Sequence, residues 1–352
     1  MKFTYLFTFF LMLFIPFSLF SQDKAIDHAP INVMGDHIHE SGEYMISIRS
    51  MKMKMSGNLN TSGNLSDSQI INLQNPYQMG SMPAKLSVVP QNMDMDMTML
   101  GLMYAPSDKF TVMAMAMFAG KEMILNTYKG MMDRAYIGSF ETSSSNNLSS
   151  FSLSTLIRLT SEENHNSHIE IGLSEHSGSN NLKGLVLTPM NMKKNMVLPY
   201  AMQLSDKSKK IIFAYTRNNM LNESYTSGFQ IRSISTIEKD KWSYGDKLIL
   251  SGWLGKEFDI NTSGTLGIYF HNEGKINGRD SSIMAPVQTA NPENYGGNTL
   301  EIGFGINKLL AILPGHHKDR VAIEALIPIN QQPNGTQMKK KWSLTIGYQK
   351  TF

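Results

Sequence analysis

Three short runs carry methionine at every second residue: Met51–Met55 (MKMKM), Met93–Met99 (MDMDMTM) and Met113–Met117 (MAMAM). A repeat of two is the repeat of a β-strand, in which alternate side chains share a face. On a helix the same residues would scatter around the axis. Each run therefore presents all its thioethers on one side of a strand. The opposite sides are mainly apolar: Tyr44, Ile46 and Ile48 precede the first run, and Leu100, Leu102 and Tyr104 follow the second. Phe110, Val112, Ala114, Ala116 and Phe118 alternate with the third. Near one strand end the apolar side gives way to Lys52, Lys54, Asp94 and Asp96. An apolar face outward and a mixed methionine and polar face inward is the pattern of a barrel immersed in lipid.

Both ends of the chain agree with that reading. Residues 1–21 read as a cleaved secretory signal, with Lys2, an apolar run from Phe3 to Phe20 interrupted by Pro16, and Ser21 at the expected cut. Residues 22–42 are then expected as a periplasmic lead-in and 43–352 as an outer-membrane β-barrel. At the other end Trp342, Leu344, Ile346, Tyr348 and the terminal Phe352 share one parity. That segment resembles the last strand of bacterial outer-membrane barrels, which implies recognition by the barrel assembly machinery.

The fold expected is all-β: a single antiparallel transmembrane barrel of about 12 strands, with short periplasmic turns and long extracellular loops. Polar stretches, among them residues 56–91, 120–148 and 175–208, are expected as those loops. Closure follows because an open sheet edge facing hydrocarbon would leave N–H and C=O groups unpaired. An even strand number puts both ends in the periplasm, so the expected location is the cell outer membrane, with its lipids as surroundings.

Composition narrows the chemistry. The chain has 27 methionines and no cysteine, so disulfides and thiolate metal sites are excluded. A net charge of +3 over 352 residues, without a basic cluster, argues against a nucleic-acid partner. No nucleophile elbow, zinc-protease motif, phosphate loop or paired-carboxylate site is present, so no enzyme activity is expected.

Centring the hairpins on their loops gives a register for the methionine face. Met51 falls beside Met97 and Met97 beside Met117, with Met53 opposite Met95 and Met55 opposite Met93. The outward residues then pair Lys52 with Asp96 and Lys54 with Asp94, as a correct register of opposite charges should. Thioether sulfur is a soft ligand suited to Cu(I) and Ag(I). The candidate metal-binding residues are therefore Met51, Met53, Met55, Met93, Met95, Met97, Met99, Met113, Met115 and Met117. His37 and His39 form a second candidate site below the lumen. The leading expectation is binding or passage of Cu(I)-like ions for export or detoxification, with periplasmic metal carriers as partners. Methionine is also a pliable apolar filler. A passive channel for small apolar organic molecules, and a filled barrel serving as a surface or structural protein, therefore stay open.

Three stretches carry a family resemblance: Val33 to His39 (VMGDHIH), Met93 to Pro106 (MDMDMTMLGLMYAP) and Leu198 to Leu204 (LPYAMQL). The chain resembles a family of outer-membrane "transporter" barrels, distantly similar to phenol meta-pathway barrels of the fatty-acid-channel type. The resemblance implies an outer-membrane barrel that transports something, and its phenol-pathway side implies apolar organic solutes. Copper-resistance outer-membrane proteins share the methionine-rich character, which supports the metal reading by analogy only.

Overall fold

The computed structural model describes residues 24–80, 82–131, 133–314 and 318–352. The signal segment expected over residues 1–21 lies outside them. Twelve strands make the barrel: β1 (Tyr44–Asn60), β2 (Val88–Ser107), β3 (Phe110–Tyr128), β4 (Tyr136–Glu162), β5 (His165–Glu175), β6 (Lys209–Asn222), β7 (Tyr225–Glu238), β8 (Lys247–Asp259), β9 (Thr262–Glu273), β10 (Gly297–Leu310), β11 (Asp319–Pro333) and β12 (Gln337–Thr351). Each strand pairs antiparallel with its neighbours in the chain, and β12 pairs with β1, so the sheet closes. Closure leaves no ladder edge for the hydrocarbon to strand.

Alternation does the sorting. The outward positions Ile46, Ile48, Leu102, Leu153, Ile171, Phe213, Ile231, Leu266, Ile306 and Ile346 are exposed. Their inward neighbours are buried or half-buried. Tyr44 and Tyr104 stack at 4.8 Å on one rim, where Phe110, Tyr225, Phe258 and Phe352 are also exposed. An aromatic girdle of this kind marks the lipid–water boundary. The turns at this rim are tight, as at residues 163–164, 223–224 and 260–261. The connections at the other rim run as long as residues 61–87, 176–208 and 274–296. Tight turns face the periplasm and long loops the exterior.

Two expectations change. The polar segment over residues 120–148 is largely strand: β3 continues to Tyr128 and β4 begins at Tyr136. Its serines are no obstacle, because the ladder uses backbone groups, and Ser149, Ser150, Ser152 and Ser154 are buried small residues on and beside the inner wall.

The second change is larger. Residues 24–42, expected as a lead-in beneath the barrel, fold up into the lumen as a plug. This segment has no sheet or long helix to satisfy its backbone. Wall side chains do so instead: Arg49 reaches the Ile31 carbonyl at 2.8 Å, Gln230 that of Met34 at 2.8 Å, and His168 that of Gly35 at 2.8 Å. Ala29 and Val33 pack on Trp253, Tyr269 and Leu326. The Trp253 indole lies over Gly228, its cross-strand partner, where a Cβ would meet the ring at 2.3 Å.

The long loops fold over the exterior mouth around a second apolar core. Tyr200 and Trp242 meet edge to face at 4.7 Å, and Tyr77, Ile283 and Val287 join them. Tyr77 donates to the Ala290 carbonyl (2.6 Å) and Tyr244 to that of Tyr200 (2.6 Å). The buried Asp206 staples this lid. It meets His176 at 3.2 Å and Lys210 at 3.2 Å, and accepts from the Tyr244 N–H at 2.8 Å.

Candidate functional site

Beneath the lid the lumen holds a chamber of about 480 Å³. Its walls differ in chemistry. Strands β1, β2 and β3 line it with Met53, Met55, Met93, Met95, Met97 and Met117, and Met338 of β12 continues that wall. The facing side holds Lys247, His271 and Glu273, and Lys340 of β12 stands beside the methionine wall as the cross-strand partner of Met55. Those charges are mostly spent on each other: Lys247 meets Glu273 at 3.2 Å, and Glu301 meets Lys340 at 2.8 Å and His271 at 3.3 Å. The chamber thus joins an apolar wall to an ion-paired one.

All ten candidate methionines lie on inward positions of their strands. The β1–β2 register is Met51 with Met97, Met53 with Met95 and Met55 with Met93, and the outward pairs are Lys52–Asp96 and Lys54–Asp94. These outward pairs meet at 3.8 and 3.7 Å. The β2–β3 register differs from expectation by two residues. Met97 faces Ala119, and Met117 faces Met99. The cause is at the turn. It is the two-residue Asp108–Lys109, and the ladder slips beside Ala105 and Pro106, where proline has no N–H to donate.

The methionine face also divides. Six of the ten candidates line the chamber. Met99, Met113 and Met115 lie lower, with Met45 and Met103, around a void of only about 20 Å³ against the plug residues Met34 and Asp36. There Met45, Met103, Met113 and Leu156 form one packed cluster, against which Ile38 of the plug rests. Met51 is half-buried between the two groups.

His37 and His39 sit inside the plug, not below the lumen. Their rings meet edge to face at 4.8 Å. His39 Nδ1 lies 3.1 Å from Glu43 Oε2. Burial lowers the His39 pKa, against the opposing hydrogen bond to Glu43.

Sequence reasoning missed two parts of the site. One is the plug itself. The other is the loop Leu198 to Leu204, noted only as a motif. Leu198, Tyr200, Met202 and Gln203 are fully buried, and the loop reaches into the barrel mouth, where Ala201 and Leu204 line the chamber. Lys121 of β3 holds it, donating to the carbonyls of Ala201 (2.9 Å) and Gln203 (2.6 Å). An isolated lysine at a methionine-parity position was the available signal.

No protein-family model and no curated protein matches the sequence. Among solved structures, an outer membrane channel from Pseudomonas putida F1 superposes with a TM-score of 0.58 at 12% identity, covering 92% of this chain and 100% of that one. The fold is that of an outer-membrane channel. Weaker likenesses are to a TodX monoaromatic hydrocarbon channel mutant (TM-score 0.45, 8% identity, 89% and 91% covered) and a Pseudomonas aeruginosa FadL homologue (TM-score 0.41, 8% identity, 88% and 90% covered). In this channel fold the lumen is interrupted twice, by the plug from the periplasmic side and by the loops from outside.

Proposed function

We propose that the barrel passes small, mainly apolar organic molecules across the outer membrane by way of the methionine-walled chamber. One observation carries this reading: six of the ten methionines from the alternating runs line one wall of a 480 Å³ space. That volume falls among those of small-molecule sites, which are mostly apolar with a few fixed polar groups. Unbranched, polarizable methionine suits a wall that must fit several solutes. The ion-paired side would orient a solute with one polar end. Passage then requires plug or lid to move, as gating segments do in many proteins. The aromatic end of β12 supports insertion through the barrel assembly machinery.

The soft-metal expectation has less behind it. Three of its candidate ligands are committed to packing against the plug, and the comparisons add nothing for copper. Selective labelling of the methionine methyl groups with ¹³C separates the readings. Toluene and phenol, titrated into the refolded barrel, are expected to shift the methyls of Met53, Met93 and Met95 saturably and to leave Met113 and Met103 still. Absence of such shifts with both solutes, together with saturable shifts on anaerobic Cu(I) titration, would reverse the assignment.

A further inference from the structure

The plug carries a group of side chains that the passage of solutes does not use. His28, Asp36 and His37 each offer one ligand atom, and these atoms lie within 4.8 Å of one another. His37 Nδ1 is 3.0 Å from Asp36 Oδ1, and the His28 and His37 rings meet edge to face at 5.8 Å. Asp36 is 3% exposed, yet its second carboxylate oxygen has no hydrogen-bond partner among the described residues. A buried carboxylate oxygen left without a partner is costly, and a cation shared with two imidazoles would satisfy it.

We propose that His28, Asp36 and His37 form a binding site for a borderline divalent cation of the zinc class, which latches the plug inside the lumen. Two imidazoles and a carboxylate are ligands that zinc accepts, with a fourth position left for water. Ligand bonds of about 2.0–2.2 Å place neighbouring donor atoms roughly 3.4 Å apart at a tetrahedral centre, so side-chain rotations of an ångström or so close the set. Arg49 and Arg320 are the opposing charges near Asp36. Both are occupied, Arg49 with the Ile31 carbonyl and Met34 Sδ, and Arg320 with Asn307, Gln349 and the Ala29 carbonyl. Glu324 partly offsets them.

The backbone around the site explains why binding there would act on the whole plug. Asn307 of β10 donates to the His28 carbonyl at 3.1 Å, and Asn218 of β6 donates to the Asp36 carbonyl at 2.9 Å. One ion would thus join two parts of the plug that are hung from separate parts of the wall. The site lies at the periplasmic end, where His37 keeps 23% of its surface exposed and so offers an entry path.

The test uses the refolded full barrel, stripped with chelator and titrated with Co²⁺ as a spectroscopic probe. One equivalent should bind, with visible d–d bands of a four- or five-coordinate nitrogen and oxygen site, and Zn²⁺ should displace it. His28→Gln and His37→Gln should each weaken binding by more than the roughly 10- to 100-fold cost of losing an outer-shell partner. His165→Gln, in the β4–β5 turn region, should leave it unchanged. Heat-modifiable gel migration shows that each variant is folded. Should the histidine variants not fold, Cu²⁺ bound to the unaltered protein should give an electron paramagnetic resonance spectrum with two nitrogen ligands. No saturable binding, equal binding in both folded histidine variants, or a copper spectrum without two nitrogens would overturn the site. None of these results depends on which solute the chamber takes.

Discussion

Lys121 Nζ lies 2.6 Å from the carbonyl oxygen of Gln203 and holds an extracellular loop inside the barrel mouth. Both groups are buried. Lys121→Met keeps the side chain's length and removes its donors. The carbonyls of Ala201 and Gln203 then lose a charged partner, at a cost of about 1–3 kcal/mol. The loop should loosen, and single-channel conductance in planar bilayers should rise while the barrel still migrates as folded.

Asp206 makes the lid sensitive to acid. Burial pushes its carboxyl up, but the hydrogen bond from His176 and the Lys210 charge outweigh burial and hold it well below the usual carboxylate range. A depressed folded-state pKa contributes stability above the unfolded value of about 4 and loses it as pH falls further. The lid should hold from neutral pH down to about pH 4 and open progressively below. Protease nicking within residues 176–208, measured at pH 7 and again after a pulse at pH 3, checks the direction. Asp206→Asn should be nicked at neutral pH as well.

How much of this was legible in the sequence depended on whether the constraint was local. Alternation alone revealed the inward methionines, and centring the first hairpin on its loop gave the β1–β2 register, with which the charges at Lys52, Lys54, Asp94 and Asp96 agree. The β2–β3 register slipped by two because the irregularity beside Pro106 breaks an even count. The plug has no periodicity. Its backbone is satisfied by Arg49, His168, Asn218, Gln230 and Arg320, residues spread over most of the chain that no local pattern links. The chamber was hidden for the same reason, since it is covered by a loop that one distant lysine holds.

Asn32 tests the plug directly. Its side chain donates to Glu324 at 2.9 Å and accepts from Thr345 at 2.7 Å. Asn32→Ala should cost about 1–3 kcal/mol, seen as a lower urea midpoint. It should also speed deuterium exchange in residues 24–42 relative to the strands.

The outward charge pairs give a reciprocal prediction. Lys52→Asp alone sets like charges opposite each other at Asp96, and adding Asp96→Lys restores the pair. At an exposed position each effect should stay below about 1 kcal/mol. A double-mutant cycle on refolding yield should nevertheless recover most of the single loss.

The plug also constrains the order of assembly. It belongs to the beginning of the chain, yet wall residues from β1 to β12 grip it, including Arg49 beside one side of the closing seam and Thr345 on the other. A finished cylinder would have to be threaded. A cylinder that closes last between β1 and β12 can instead be wrapped around a plug already in place, which then serves as a mandrel. The seam would seal with its contents inside.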